Sequence, residues 1–170
     1  LLDNLIKYKS YSLFYEGQLI PTVLLPPIYP LFLYLIKITT SLTESNLLYA
    51  IIAIQIVLST FSVYLFFQIS QNFFSKNVSI LSAFIFSIIP LNIYSCGQIS
   101  SVNLQILFSL LFLKFLFLTI KKQSNYNLFF FSIVTGLLLL TRGEFLLIFL
   151  IIVFYIYLKK KNKNEEFIKN

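Results

Sequence analysis

The chain has 170 residues and a net charge of +7, and 58% of it is apolar against 11% charged. A soluble globular domain carries roughly a quarter charged residues, so this balance excludes one and points to a membrane. With no histidine and a single cysteine, Cys96, an internal disulfide and a His/Cys zinc cluster are excluded as well.

Residues 1–27 mix Asp3, Asn4, Lys7, Lys9, Glu16, Gly17 and Gln18 among short apolar pieces. This predicts a loop outside the bilayer core, and no signal-peptide order of charged, apolar and small-residue regions occurs in it. Pro26-Pro27-Ile28-Tyr29-Pro30 then opens an apolar stretch to Lys37. Prolines fit a first helical turn, whose N–H groups would be unpaired anyway. The stretch covers roughly half the hydrocarbon thickness, which predicts an interfacial or re-entrant half-helix.

Five longer apolar runs follow: Asn46–Gln68, Val78–Tyr94 with Pro90 as a kink or stop, Val102–Ile120, Leu128–Leu140 and Phe145–Leu158. The last two are short of the about 20 residues a span needs. Thr141-Arg142-Gly143-Glu144 separates them, and Arg142 is the chain's single arginine. Two charges beside a glycine predict a break between two membrane helices rather than one very long helix.

Lysines favour the cytoplasmic side. Placing the 69–77 and 121–125 connections and the tail inside gathers Lys76, Lys121, Lys122 and the tail lysines Lys159, Lys160, Lys161, Lys163 and Lys169 there. Lys114 snorkels toward the same side. The tail cluster, just beyond a span, serves topology, and no nucleic-acid partner is predicted. The expected protein is all-α and polytopic, with about five transmembrane helices plus an outer juxtamembrane half-helix. Its segments are an extracytoplasmic part over 1–45, a transmembrane part over 46–158 and a basic cytoplasmic tail over 159–170. The absence of methionine and the opening within a polar stretch predict a piece of a longer protein.

This topology collects residues 1–45, the 96–101 loop and the Arg142/Glu144 turn on the outer side, where a site is expected. Arg142 offers a planar fork of donors suited to phosphate oxygens. As an alternative it is an interface anchor, or an ion pair with Glu144. Asp3, Glu16 and Glu44 are the outer carboxylates available for acid–base or metal chemistry, with solvated loop acids as the plainer reading. Tyr29 and Tyr34 fit an aromatic belt as well as a site, and Gln98 fits a ligand contact or a helix cap. Gln55, Ser59, Thr60 and Ser62 read as helix-packing residues. No glycine-rich phosphate loop, nucleophilic triad or metal cluster is present in the pattern, so neither a cofactor nor a metal is expected.

Pro26-Pro27-Ile28-Tyr29-Pro30-Leu31-Phe32-Leu33 resembles the PPGYPLFL signature of GT-C membrane glycosyltransferases of the protein mannosyltransferase and aminoarabinose-transferase type. Leu2 to Phe14 looks like the outer loop that precedes that signature. Gly136 to Phe145 is similar to the family's GLALGLAxLTRPE segment, with Gly143 where proline is usual. Val102 stands where an acidic residue is often found. The resemblance implies transfer of a sugar from a polyprenyl-phosphate donor to an acceptor at the extracytoplasmic face, in a bacterial inner membrane, N-terminal segment outside and tail cytoplasmic. It places Arg142 on the donor phosphate, with Glu144, Pro27, Tyr29 and Gln98 supporting, and puts the catalytic acid upstream of Leu1. Partners are the lipid-linked donor, membrane lipids and an unidentified acceptor. The competing expectation is a non-catalytic transporter or assembly subunit, which would carry broken helices and polar residues deep in its spans.

Overall fold

The computed structural model describes residues 4, 8–15, 18–21, 26–40, 44–121 and 124–154. Asp3, Glu16 and the 159–170 tail lie outside the described residues. Among the described residues, two strands, β1 (Ser12–Tyr15) and β2 (Gln18–Pro21), precede the helices α1 (Ile28–Thr40), α2 (Glu44–Ser70), α3 (Lys76–Ile88), α4 (Pro90–Cys96), α5 (Val102–Lys121), α6 (Asn125–Thr141) and α7 (Phe145–Phe154).

Apart from this one short pair of strands, the all-α expectation holds among the described residues; the strands replace part of the loop expected over 1–27. They pair antiparallel with Ser12 opposite Pro21 and Tyr15 opposite Gln18, so two residues, Glu16 and Gly17, connect them. A two-residue connection containing glycine between β-prone runs is a hairpin signal that the polar composition hid.

α1 starts where its prolines permit. Leu31 N–H donates to the Pro27 carbonyl at 3.1 Å, closing the first turn. Leu33 and Ile36 bury against Leu47 and Ile51 of α2, with Tyr29 and Phe32 packed at the edge. Tyr29 meets Gln55 while Ile36 meets the start of α2, so α1 runs antiparallel along the first turns of α2 and also touches α6.

α2 is 27 residues long, about 40 Å at 1.5 Å per residue. Its internal hydroxyls are satisfied within the helix: Thr60 and Ser62 donate to the Ile56 and Leu58 carbonyls at 2.9 Å each. Beyond it, α3 and α4 meet at 54°. Pro90 has no N–H to return to the Phe86 carbonyl, and the Asn92 side-chain amide takes that carbonyl instead, at 2.6 Å.

α2 and α5 run parallel, joined from Gln55–Asn103 at one end to Asn72–Lys121 at the other. α6 returns antiparallel to α5, with the Phe112 and Phe131 rings 5.2 Å apart. Phe112, Leu116, Phe131, Val134 and Leu138 form the main core, with Phe145 and Phe149 of α7 packed against it. Leu65, Ile69, Leu107 and Leu110 fill the α2–α5 interface. The outer surface is as apolar as the core: Val57, Ile151 and Leu147 are each more than 65% exposed, which suits lipid and not water.

Two helices, Asn46–Ser70 and Val102–Lys121, are long and apolar enough to cross a membrane, and a third span is present if the bent pair Lys76–Ile88 and Pro90–Cys96 counts as one. Among the described residues, two to three of the expected five spans are thus borne out. α6 stops after 17 residues, about 25 Å, because the backbone leaves the helix at Arg142, and α7 is described for only ten.

Candidate functional site

The bundle has two unlike ends. At one, Cys96–Ser101, the end of α6 and the start of α7 come together; at the other lie the α2–α3 and α5–α6 connections with Lys76 and Lys121. Stepping back along α5 from Phe112 to Asn103, and forward by the same number of residues along α6 from Phe131, reaches Leu140. Gln55, Asn103 and the Thr141–Arg142 junction therefore stand at one level.

Arg142 caps α6 with an extended backbone, φ −153° and ψ 115°, and its N–H closes the last turn on the Leu138 carbonyl at 3.0 Å. Thr141 before it is fully buried, its hydroxyl donating to the Leu137 carbonyl at 2.7 Å. The helix end is thus anchored while the next side chain turns outward. The Arg142 guanidinium lies 3.9 Å from the Glu144 carboxylate, and the two side chains are 38% and 81% exposed. An ion pair that long and wet is worth about 0–1 kcal/mol, so Glu144 leaves the guanidinium free to bind something else.

Tyr29 and Gln98, which the sequence placed in separate supporting roles, are brought together by Gln55. Its side chain is 1% exposed. The amide nitrogen donates to the Cys96 and Gln98 carbonyls at 3.0 and 3.1 Å, and its oxygen accepts from the Tyr29 hydroxyl at 3.2 Å. The hydrogen-bond network assigns this orientation, since the opposite one sets an amide oxygen against two carbonyls. Asn103, also buried, donates to the Gln55 backbone carbonyl at 2.7 Å and lies 3.7 Å from the Cys96 sulfur. Burial pushes the Tyr29 phenol up to about 12. It therefore keeps its proton, and its donor role, through the physiological range.

The network ties α1, α2, the 96–98 turn and α5 at one point. Gln98 contributes its backbone carbonyl and leaves its side chain exposed. Pro27 contributes the carbonyl that starts α1. No hydrogen bond among the described residues joins Arg142 to this network; the two share a level and an end of the bundle. Gln55 and Asn103 are residues of this candidate site that sequence reasoning did not single out. The one signal was Gln55, a carboxamide inside an otherwise apolar run that read as a helix-packing residue; Asn103, beside the polar 96–101 loop, carried none. Beside them, between α2 and the α3–α4 bend, opens a groove of about 360 Å³ walled by Ile52, Ile56 and Ile93, with Ser59 and Ser87.

A bundle with an apolar exterior, span-length helices and polar groups gathered at one level defines an integral membrane protein with its candidate site at a bundle end. The family of dolichyl-phosphate-mannose-protein mannosyltransferases matches residues 26–169, and the chain belongs to that family of GT-C-type membrane glycosyltransferases. The match begins at the Pro26-Pro27 signature and includes Arg142. No curated protein and no solved structure matches the chain. Family membership implies a lipid-linked sugar donor and contact with membrane lipids.

Proposed function

We propose that the chain forms the donor-binding part of a glycosyltransferase that moves a sugar from a polyprenyl-phosphate donor to an acceptor at the extracytoplasmic face, with Arg142 holding the donor phosphate. The observation that carries this reading is the Arg142 cap: a partly exposed guanidinium at a helix end, weakly paired, at the level of the Tyr29–Gln55–Asn103 network. As the sugar leaves, negative charge grows on the phosphate, and a guanidinium placed there stabilises that charge. The apolar groove beside the network has the chemistry to accept part of a polyprenyl chain. The Arg142 end is the extracytoplasmic end in this reading, because the lysines collect at the other. A general base still has to activate the acceptor; among the described residues Glu44, at the start of α2, and Glu144 are the acids at this end.

The test is consumption of a polyprenyl-phosphate mannose by the full-length protein in vesicles. Arg142→Ala lowers it by roughly 10- to 100-fold, the equivalent of losing charged hydrogen bonds worth about 1.5–3 kcal/mol. Arg142→Lys keeps the charge but not the fork and recovers part of it. Consumption unchanged in Arg142→Ala would remove the arginine from the donor site.

A further inference from the structure

At the end of the bundle opposite Arg142, α2 and α5 carry a second polar cluster that the proposed transfer does not use. The Lys114 ammonium donates to the Gln68 side-chain oxygen at 2.8 Å, and the Lys121 ammonium donates to the Asn72 side-chain oxygen at 2.9 Å. Gln68 in turn donates to the Tyr64 hydroxyl at 2.7 Å, and Asn72 donates to the Gln68 and Ile69 backbone carbonyls. Each amide therefore has its nitrogen occupied and its oxygen turned to a lysine. The four side chains line a cavity of about 90 Å³, walled on its apolar side by Phe117 and Leu118.

Two features make this more than a pair of snorkelling lysines. Lys114 lies two helical turns above Lys121, and its ammonium is held partway along the bundle by Gln68 instead of reaching the bundle's end. Secondly, the one ion pair among the described residues is Arg142–Glu144 at the other end, so neither lysine has an acidic partner among them. The partly buried Lys114 ammonium and the more exposed Lys121 ammonium meet only neutral amides among the described residues, and an anion in the cavity between them completes the arrangement. The space equals that of about three waters, enough for one tetrahedral oxyanion.

We infer that the α2–α5 groove at Lys114 and Lys121 binds the phosphate group of an anionic phospholipid. Both ammoniums bond the phosphate oxygens, and the acyl region lies along Phe117 and Leu118. The phosphate chemistry is shared with a free anion, but the apolar wall and the lipid-facing position favour the lipid. The inference does not depend on Arg142, whose donor use is measured separately.

The test uses the full-length protein in nanodiscs of phosphatidylcholine with a minority of phosphatidylglycerol, counting the lipids retained per chain by native mass spectrometry. Wild-type protein and Lys114→Arg retain phosphatidylglycerol preferentially, and the Lys114→Gln/Lys121→Gln variant loses that preference by about tenfold. Preference unchanged in the double variant overturns the site. Should that variant fail to fold, raising the salt on wild-type protein decides: a preference that weakens supports a charge-held phosphate, and one indifferent to salt overturns it. Inorganic phosphate added in competition distinguishes the source. Displacement of phosphatidylglycerol shows that the phosphate group alone suffices, whereas retention assigns the affinity to the whole lipid.

Discussion

Arg142 and Glu144 sit two residues apart and yet have different fates. Arg142 extends from a buried, hydrogen-bonded Thr141, so its backbone is held while its side chain remains available. Glu144 is 81% exposed, and its pairing contributes little. Glu144→Gln is therefore expected to leave the thermal midpoint within error of wild type. Gly143 is the other instructive residue. A side chain there meets open space, and Arg142 before it already has the extended backbone that a following proline requires. The family's usual proline should fit, so Gly143→Pro is expected to raise stability by about 0.4–1 kcal/mol by restricting the unfolded chain. A fall in the thermal midpoint would show that the turn needs freedom that proline lacks.

Among the elements, α1 is attached mainly along the first turns of α2. It is 13 residues long, held by Leu33, Ile36 and the Tyr29 hydroxyl. Replacing Gln55 by leucine takes the side-chain partner from the Cys96 carbonyl and the Tyr29 phenol, while the Gln98 carbonyl keeps the Ser100 N–H, a loss of roughly 1–3 kcal/mol. Tyr29→Phe removes one hydrogen bond and is expected to cost about 1 kcal/mol. Amide hydrogen exchange checks both: faster exchange in α1 and at residues 96–98, with α5 and α6 unaffected, is the expected pattern. Uniform acceleration across the bundle would show that Gln55 supports the whole fold and not this junction. The sequence made some of this legible and hid the rest. Pro90 announced the bend, the 141–144 charges announced the break, and Pro26-Pro27 announced the start of α1. Gln55 was indistinguishable from a packing residue, because its importance lies in partners 26 and more than 40 residues away. The β1–β2 hairpin was masked by polar neighbours on both sides of a short strand pair.

For the whole molecule, hydropathy fixed the class and left the span count open. Composition marks which residues prefer lipid, but a crossing requires that one helix continue, and the backbone departs from helix at Ile89 and Arg142. The two ends of the bundle differ in charge, and this difference underlies the proposed orientation. With Cys96 replaced by alanine, a cysteine placed at Glu144 should react with a membrane-impermeant thiol reagent from outside intact cells, and one placed at Ser124 only after the membrane is opened. The reverse pattern would invert the topology and move the candidate site to the cytoplasmic face.

The most direct measurement is the affinity of the full-length protein in nanodiscs for a polyprenyl phosphate without sugar, which isolates the phosphate contact from turnover. The account predicts tightest binding for wild type, weaker binding for Arg142→Lys and a loss of about tenfold or more for Arg142→Ala, while Lys114→Gln binds as wild type does. Equal affinity for wild type and Arg142→Ala would contradict it, and the donor phosphate would have to be held elsewhere.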